Sequence, residues 1–520
     1  MTIYEKNRYK AYSILRKYLS FKNDEENLEL KIEEFIQSKI KNISGKFLLN
    51  KVLEKLPKEG YSKKFDRIPF TRIYDYKNEN INLFPYGYLI NLSYINYYNT
   101  SCILLDVSKE IDEIMELSIA LYYIKDIKRF FYPINLFITT SSQTFAEDIK
   151  KDIENTYFGL FPQSSIEFTS FLIEEGLKDY FSEKGLSKEL KFIESLLNII
   201  KNKKQILNIV FLKNELKNLV KKFEVDNFLE KLSFTKEKVE ERFELNHLNY
   251  LFIQEEEKFI IPILPMNIIA LYKQSYVLLT EKIDKFSIKF GEKLEKILEN
   301  LIIERGIVHK KGYWEKDNTW YESDLILEFD KMIVIIELKK GNLHYNTKKG
   351  EIFQALLDVK KTLLDSQIQA LRLRSFLEEN KRIRFFKKKD KNSKYQELIV
   401  NDRRIMTLSL SLEDYDSLHC KSISSNIIKE GLFIEKVRVI PSYPKEEIQI
   451  NKYFNELKEI HQILESSSYS RKKDIDSLYH YSLFLNLQYF YYLLKDKEID
   501  LEDKLSELCC IIRSEDIFQN

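Results

Sequence analysis

Two carboxylates and a lysine lie at the ends of two short apolar segments near the middle of the chain. Asp324 opens a segment that ends at Phe329, and a second segment begins at Met332 and ends with Glu337 and Lys339. Apolar segments rich in β-branched residues and joined by a short polar turn predict a β-hairpin with a buried second strand. Alternate strand residues point the same way, so Glu337 and Lys339 share a face, and Asp324 projects from the neighbouring strand.

These residue types suit a divalent cation and the hydrolysis of a phosphate ester. Two carboxylates that converge at the end of a sheet supply the oxygen ligands that Mg²⁺ prefers. A nearby lysine can orient or deprotonate an attacking water, and the cation stabilises charge on the phosphodiester. We therefore expect Asp324 and Glu337 to hold Mg²⁺, with Mn²⁺ as the alternative ion, and Lys339 to be catalytic.

The Glu-Leu-Lys string alone is not informative in a chain with 32% charged residues. Only the copy at Glu337 follows five apolar residues and has an acidic residue on the preceding strand. Its alternative explanation is a strand end with charges that oppose edge pairing. Four other copies lie in charged segments that predict solvated helix faces: Glu29-Leu30-Lys31, Glu189-Leu190-Lys191, Glu215-Leu216-Lys217 and Glu456-Leu457-Lys458.

Asp324 followed by Glu337-x-Lys339 on a hairpin resembles the pattern of the PD-(D/E)XK nuclease superfamily, whose members have a restriction-endonuclease-like fold. The resemblance covers about residues 290–412, where we expect an αβββαβ core with a central mixed sheet. It implies a metal-dependent endonuclease that cleaves nucleic acid by in-line attack of water, with DNA as the expected substrate and RNA as the alternative. It also implies that the carbonyl of Leu338 is a metal ligand.

Two supporting residues are implied by the same resemblance. The helix before the hairpin commonly supplies a further acidic residue to the metal site, and Glu295 matches that position. A surface glutamate is the alternative interpretation. The helix after the triplet often carries a glutamine, a role for which Gln369 competes with Gln354 and Gln367.

Basic residues close to this region are candidates for phosphate contacts. Some belong to a dense basic run, 381–391, that is interleaved with aromatic residues, which suits backbone contacts and base stacking. A solvated loop without a partner is the alternative. The candidates are Lys340, Lys348, Lys349, Arg372, Arg374, Lys387, Lys388 and Lys389.

The rest of the chain predicts an α+β or α/β multidomain protein with mostly helical flanks. Its 520 residues suffice for two to four domains. We expect a helical and small α/β region of unknown role over 1–285, the nuclease-like domain over 286–415, and a mostly helical region over 416–520. Inside the first region, strands are predicted within 86–106 and at 133–139, and a helix between Ser108 and Tyr123.

Composition narrows the function only slightly. The net charge of +2 neither supports nor excludes a nucleic-acid partner, and the four cysteines show no zinc spacing. No glycine-rich phosphate loop occurs in the predicted α/β module, which disfavours an NTPase. The N-terminus resembles no signal peptide and no apolar segment is long enough to span a membrane, so we expect a cytoplasmic protein. The sequence leaves a homo-oligomer open.

Two further functional interpretations remain. A non-catalytic nucleic-acid-binding or assembly protein could retain the fold, although the complete set of Asp324, Glu337 and Lys339 counts against it. A role in restriction or anti-phage defence follows only by analogy, and a DNA-repair nuclease would fit the residues equally well.

Overall fold

The part of the chain that the structure describes folds as a mixed α+β protein, and its strands form two sheets. Its contacts divide it into two units, one formed by 1–134 and 154–290 and the other by 135–153 and 291–520. This computed structural model describes residues 3–19, 28–56, 68, 84–99, 106–127, 158–159, 161–238, 248–341, 352–415, 419, 421–432, 434, 444–466 and 479–510. None of the helices in those ranges combines the length and apolar character that a bilayer span requires.

The first unit is mainly helical and contains a four-stranded sheet in the order β1-β4-β3-β2. The strands are β1 (Leu207–Leu212), β2 (Ser233–Phe234), β3 (Phe252–Gln254) and β4 (Lys258–Ile263). The helices are α1 (Ile3–Tyr18), α2 (Leu28–Ile40), α3 (Gly45–Lys55), α4 (Tyr86–Ile95), α5 (Val107–Ile127), α6 (Ile166–Phe171), α7 (Lys178–Glu183), α8 (Ser187–Lys203), α9 (Lys213–Phe223), α10 (Asp226–Leu232), α11 (Leu264–Asn267) and α12 (Ile269–Lys282), with a π-helical turn over Leu172–Leu177.

The strand predicted at the start of 86–106 is wrong, because α4 occupies it. All residues of α4 from Gly87 to Tyr94 are buried, and a helix that is apolar on every side cannot be distinguished from a buried strand by periodicity. The helix predicted from Ser108 is confirmed as α5. The strand predicted at 133–139 lies outside the described residues.

The second unit is built on a seven-stranded mixed sheet in the order β11-β10-β7-β6-β5-β8-β9. The strands are β5 (Val308–Lys316), β6 (Thr319–Glu328), β7 (Met332–Lys339), β8 (Arg382–Phe386), β9 (Tyr395–Ile399), β10 (Arg404–Ser411) and β11 (Ser482–Asn486). The helices are α13 (Phe286–Arg305), which begins before the division between the units, α14 (Ile352–Val359), α15 (Asp365–Asn380), α16 (Lys421–Gly431), α17 (Pro444–Ser466), α18 (Leu487–Lys495) and α19 (Leu501–Cys510), with a π-helical turn over Lys360–Leu364.

The predicted hairpin is confirmed as β6 and β7, which pair antiparallel. In β7 the side chains of Ile333, Val334, Ile335 and Ile336 are fully buried. Burying one such side chain contributes about 1.5–3 kcal/mol. Ile333 and Ile335 share a core with α15. The sheet core therefore holds β7 rigidly up to the residue before Glu337.

The order of elements after the hairpin departs from the expected αβββαβ sequence by one insertion. The hairpin of β8 and β9 lies between α15 and β10 and extends the sheet beyond β5. At the opposite side β10 pairs parallel with β7, and β11 pairs parallel with β10. Because β11 completes this sheet, the expected C-terminal region 416–520 belongs to the second unit. The strand β11 departs from the mostly helical region that was predicted over 416–520.

Candidate active site

The strands β6 and β7 separate where the acidic residues lie. Their pairing reaches Leu325 opposite Ile336 and does not continue to Asp324. Instead, the backbone N–H of Leu338 donates to Asp324 Oδ2 across 2.9 Å. The carboxylate thus replaces a backbone acceptor, and the hydrogen bond fixes it against β7 beside Glu337.

A bulge in β6 explains how Asp324 reaches this position. Between the pairs Lys310–Ile326 and Gly312–Ser323, β6 contains one residue more than β5, and Asp324 lies in that stretch. An extra residue disrupts the ladder locally and redirects a side chain, which is why bulges recur beside active sites. Simple alternation along the strand could not have predicted the direction of Asp324.

Glu337 is the buried member of the pair, with 2% of its surface exposed. Burial raises the pKa of Glu337 well above its usual range, and the negative charge of Asp324 raises it further. The positive charges of Lys339 and Arg372 oppose this shift. Among the described residues, Glu337 Oε1 has no hydrogen-bond partner. A buried carboxylate in this setting is stable only with a proton or a cation beside it.

Lys339 is held on the same side by the helix that covers the sheet. Its Nζ donates to Gln369 Oε1 of α15 across 2.6 Å. Of the three glutamines in competition, Gln369 is therefore the one beside the lysine. Gln354 donates instead to Asp358 across 2.8 Å. Gln367 is buried and binds two residues of β10, which gives it a packing role.

Glu295 is the glutamate of α13 whose pKa is affected by Asp324. Partial burial raises the pKa of Glu295 to about 7, and the negative charges of Asp324 and Glu322 act in the same direction. The residue remains accessible to solvent, and the positive charge of Lys311 opposes the shift. Glu299, one turn further along, is instead paired with Lys311 across 2.5 Å and with His309 across 3.3 Å.

Glu322 is a residue that the sequence interpretation missed. It lies two positions before Asp324 in β6 and is exposed. Its charge raises the pKa of Glu295, and it is opposite Tyr313 of β5 in the strand ladder. The spacing of two residues from Asp324 was an available signal, since alternate strand residues tend to share a face.

The predicted phosphate-binding residues occupy different environments. Lys340 lies against α13, where a β-carbon added to Gly291 would be 2.8 Å from its Nζ. Burial lowers the pKa of Lys340, although Glu295 and Glu292 oppose the shift. Lys340 is therefore part of the acidic neighbourhood, where it offsets negative charge.

The two predicted arginines of α15 are engaged inside the protein. The Nε of Arg372 donates to Glu456 across 2.7 Å, and its guanidinium lies 4.5 Å from the ring centroid of Tyr321. Arg374 is 4% exposed and donates to Glu378 across 2.7 Å. These placements do not support the predicted contact of Arg372 and Arg374 with phosphates.

The remaining candidates for phosphate contacts are lysines in two segments of the chain. Lys348 and Lys349 lie outside the described residues. Lys387, Lys388 and Lys389 are exposed in the turn that joins β8 to β9. The basic run is therefore divided between β8 and the exposed turn that follows it.

The four other Glu-Leu-Lys strings all lie on helices, as predicted, in α2, α8, α9 and α17. Only Glu337-Leu338-Lys339 ends a strand. The same three residue types therefore produce two kinds of local structure. The preceding apolar residues decide which one forms.

The oxygen atoms of this site fit a hard divalent cation, although only two of the ligands are side chains. Asp324, Glu337 and a backbone carbonyl offer only oxygen, and the buried Oε1 of Glu337 lacks a partner among the described residues. Within the same ranges, no three His, Cys, Asp or Glu side chains are grouped closely enough to hold a metal ion. Two carboxylates with the remaining positions filled by water are typical of Mg²⁺.

No protein-family model matches the chain, and neither a curated protein nor a solved structure matches it. The interpretation of the site therefore depends on its own residues.

Proposed function

We propose that the chain is a metal-dependent endonuclease that hydrolyses phosphodiester bonds of nucleic acid, DNA in the first instance. The observation that supports it best is the meeting of Asp324 with the buried Glu337 where β6 and β7 separate. The element order from α13 to β10 also supports the proposal, because it reads helix, three strands, helix and strand once the β8–β9 insertion is set aside. In this proposal the second unit contains a PD-(D/E)XK nuclease.

Each residue of the site has a role set by its surroundings. Asp324 and Glu337, with the carbonyl of Leu338, would hold Mg²⁺ or Mn²⁺. A bound cation of this kind supplies charge stabilisation to the phosphate and makes water more acidic. Lys339, held by Gln369, orients the attacking water or receives its proton. Glu295 carries a carboxyl whose pKa of about 7 lets it exchange protons near neutral pH.

The proposal also covers the binding partner, the cellular location and the biological role. Nucleic acid is the partner, the cytoplasm is the setting, and a homo-oligomer stays a prediction. Restriction or anti-phage defence is the biological role that we favour, with DNA repair as the alternative.

A non-catalytic nucleic-acid-binding or assembly protein is the second candidate. The observation in its favour is the lack of a third metal-binding side chain among the described residues. A protein of this kind would bind nucleic acid but would not cut it with any divalent metal.

Cleavage assays with purified protein decide between the two candidates. Supercoiled plasmid, linear duplex and single-stranded DNA are incubated with Mg²⁺, Mn²⁺ or EDTA, and RNA is included as a further substrate. We expect cleavage only with metal, and we expect Asp324→Asn and Glu337→Gln to abolish it. Lys217→Ala is the matched control, because Lys217 ends the same three-residue string on the exposed face of α9. Metal-independent cleavage, or full activity of Glu337→Gln, would exclude the proposed site.

A further inference from the structure

The inserted hairpin of β8 and β9 forms a surface that combines aromatic and basic side chains. We call it the aromatic–basic surface. Trp320 and Phe386 have ring centroids 5.5 Å apart, and those of Phe386 and Tyr395 are 5.7 Å apart. Tyr395 is 50% exposed. The surface consists of Tyr313, Trp320, Arg384, Phe386, Lys389 and Tyr395.

Strand register places these rings on one face of the sheet. Tyr313 of β5 is opposite Phe386 of β8, which is opposite Tyr395 of β9. Cross-strand partners share a face, and Tyr313 also pairs with Glu322 of β6. The row of rings therefore continues along the same face to Glu322.

Gly312 allows the hairpin to approach β5 this closely. Its φ is +130°, and an added β-carbon would lie 2.5 Å from the carbonyl oxygen of Phe386. A side chain at this position would displace β8. The close approach is thus built into the backbone of β5 and does not depend on flexible side chains.

The charge of the hairpin is strongly positive, unlike that of the whole chain. Residues 382–399, which form the hairpin, contain seven basic residues and two acidic residues, a net charge of +5, against +2 for all 520 residues. The guanidinium of Arg384 lies 4.7 Å from the ring centroid of Tyr395, and Lys389 Nζ lies 5.2 Å from that of Tyr313. Positive groups beside exposed rings can contact a phosphate and a base of the same strand.

We propose that the aromatic–basic surface binds a single-stranded segment of nucleic acid. A duplex stacks its bases internally, so it would use the basic residues of this surface and leave the rings without a partner. An unpaired strand offers base faces to Trp320, Phe386 and Tyr395 and phosphates to the lysines. The chemistry is common to DNA and RNA.

The location of the surface connects it to the carboxylate site. Tyr313 of β5 is opposite Glu322 in the strand ladder, and Glu322 lies two residues before Asp324 in β6. A strand bound along the rings would therefore lead toward Asp324. This consequence rests on the proposed nuclease function, whereas the binding itself does not.

Binding of labelled oligonucleotides in EDTA, followed by fluorescence anisotropy, tests the inference without cleavage. The probes are an unpaired oligo-dT, an oligo-U of equal length and a DNA duplex of equal length, and heparin serves as a polyanion without bases. We expect the full chain to bind the unpaired strands more tightly than the duplex. Tyr395→Ala should weaken single-strand binding by about five- to 150-fold, the loss expected for one stacked base. Tyr395→Phe should retain most of the affinity.

The matched control is a second tyrosine–arginine pair on the same sheet. The guanidinium of Arg404 lies 5.7 Å from the ring centroid of Tyr481, far from the hairpin in strand order. Tyr481→Ala should leave binding unchanged. Replacing Lys387, Lys388 and Lys389 by alanine should weaken binding of every probe and reduce its salt dependence.

Two outcomes would overturn the inference. One is equal affinity for duplex and single strand. The other is an equal effect of Tyr395→Ala and Tyr481→Ala, with heparin bound as tightly as the oligonucleotides, which would indicate attraction by charge alone. Failure of cleavage with intact Tyr395-dependent binding would reject only the proposed nuclease, and the converse result would reject only this inference.

Discussion

The Nζ of Lys339 donates a hydrogen bond to Oε1 of Gln369 across 2.6 Å, which joins the end of β7 to α15. A lysine side chain carries about 2 kcal/mol of rotamer entropy, so an unrestrained lysine would place its charge poorly. The amide oxygen of Gln369 limits that freedom without neutralising the charge. The pair thus converts a flexible cation into a positioned one.

Gln369→Ala should lower the cleavage rate while leaving metal affinity unchanged. The amide oxygen of Gln369 accepts a hydrogen bond from the lysine, and loss of such a supporting contact typically costs about 10- to 100-fold. Cleavage rates and metal titrations measure the two effects separately. Gln354→Ala is the control, and an equal loss in both variants would argue against a specific role for Gln369.

Lys339→Ala and Asp324→Ala should both lose cleavage, but they should differ in metal binding. The lysine is not a metal ligand, so its loss should preserve metal binding and fold but reduce cleavage by about 10²- to 10⁴-fold. Loss of Asp324 should remove metal binding and cleavage together. Calorimetric titration with Mn²⁺ and single-turnover cleavage provide the two measurements. Wild-type cleavage by Lys339→Ala across the pH range would remove the lysine from the mechanism.

Glu337→Gln should stabilise the metal-free protein at alkaline pH. Burial and the charge of Asp324 raise the pKa of Glu337 above 4.5, so the folded state binds the proton more tightly than the unfolded state. Stability therefore falls as the pH rises from the unfolded pKa through the raised folded pKa, and glutamine removes this loss. We expect a gain of about 1 kcal/mol or more at high pH in EDTA, measured by urea unfolding.

Glu299→Gln is the control for that measurement, and we expect it to change the stability in the opposite direction. Although burial opposes it, the hydrogen bond from Lys311 lowers the pKa of Glu299. This carboxylate stabilises the fold above its unfolded pKa, and the contribution is lost as the pH falls through the lowered value. Its substitution should therefore destabilise at neutral pH. A Glu337→Gln variant that behaves like Glu299→Gln would contradict the assignment of an uncompensated buried carboxylate.

Gly312→Ala should lower the free energy of unfolding by more than the positive φ of Gly312 alone would. Both Gly312 and Gly306 have positive φ, but an added β-carbon at Gly306 meets no atom within 4 Å. Gly306→Ala should cost about 1–2 kcal/mol for the left-handed conformation. The clash with Phe386 should add about 1–3 kcal/mol in Gly312→Ala. Urea unfolding gives the two free energies, and equal values would mean that the hairpin adapts without cost.

The local pattern of the sequence was enough to predict the site strands. The β6–β7 hairpin and the helix α5 are confirmed. Both features depend on short-range rules of periodicity and turn chemistry. The same rules failed for α4, where a segment buried on every side has no polar face to reveal its period.

Tertiary structure alone decided which distant residues meet. The sequence left Gln354, Gln367 and Gln369 equivalent, and the packing of α15 on β7 placed Gln369 at the lysine. The sequence interpretation proposed Arg372 and Arg374 as phosphate contacts. In the structure Arg372 pairs with Glu456, and Arg374 is buried. A one-residue bulge in β6 set the direction of Asp324. Residue types and spacing determined the available chemistry, but helix packing and strand register determined its geometry, because both depend on contacts between residues far apart in the chain.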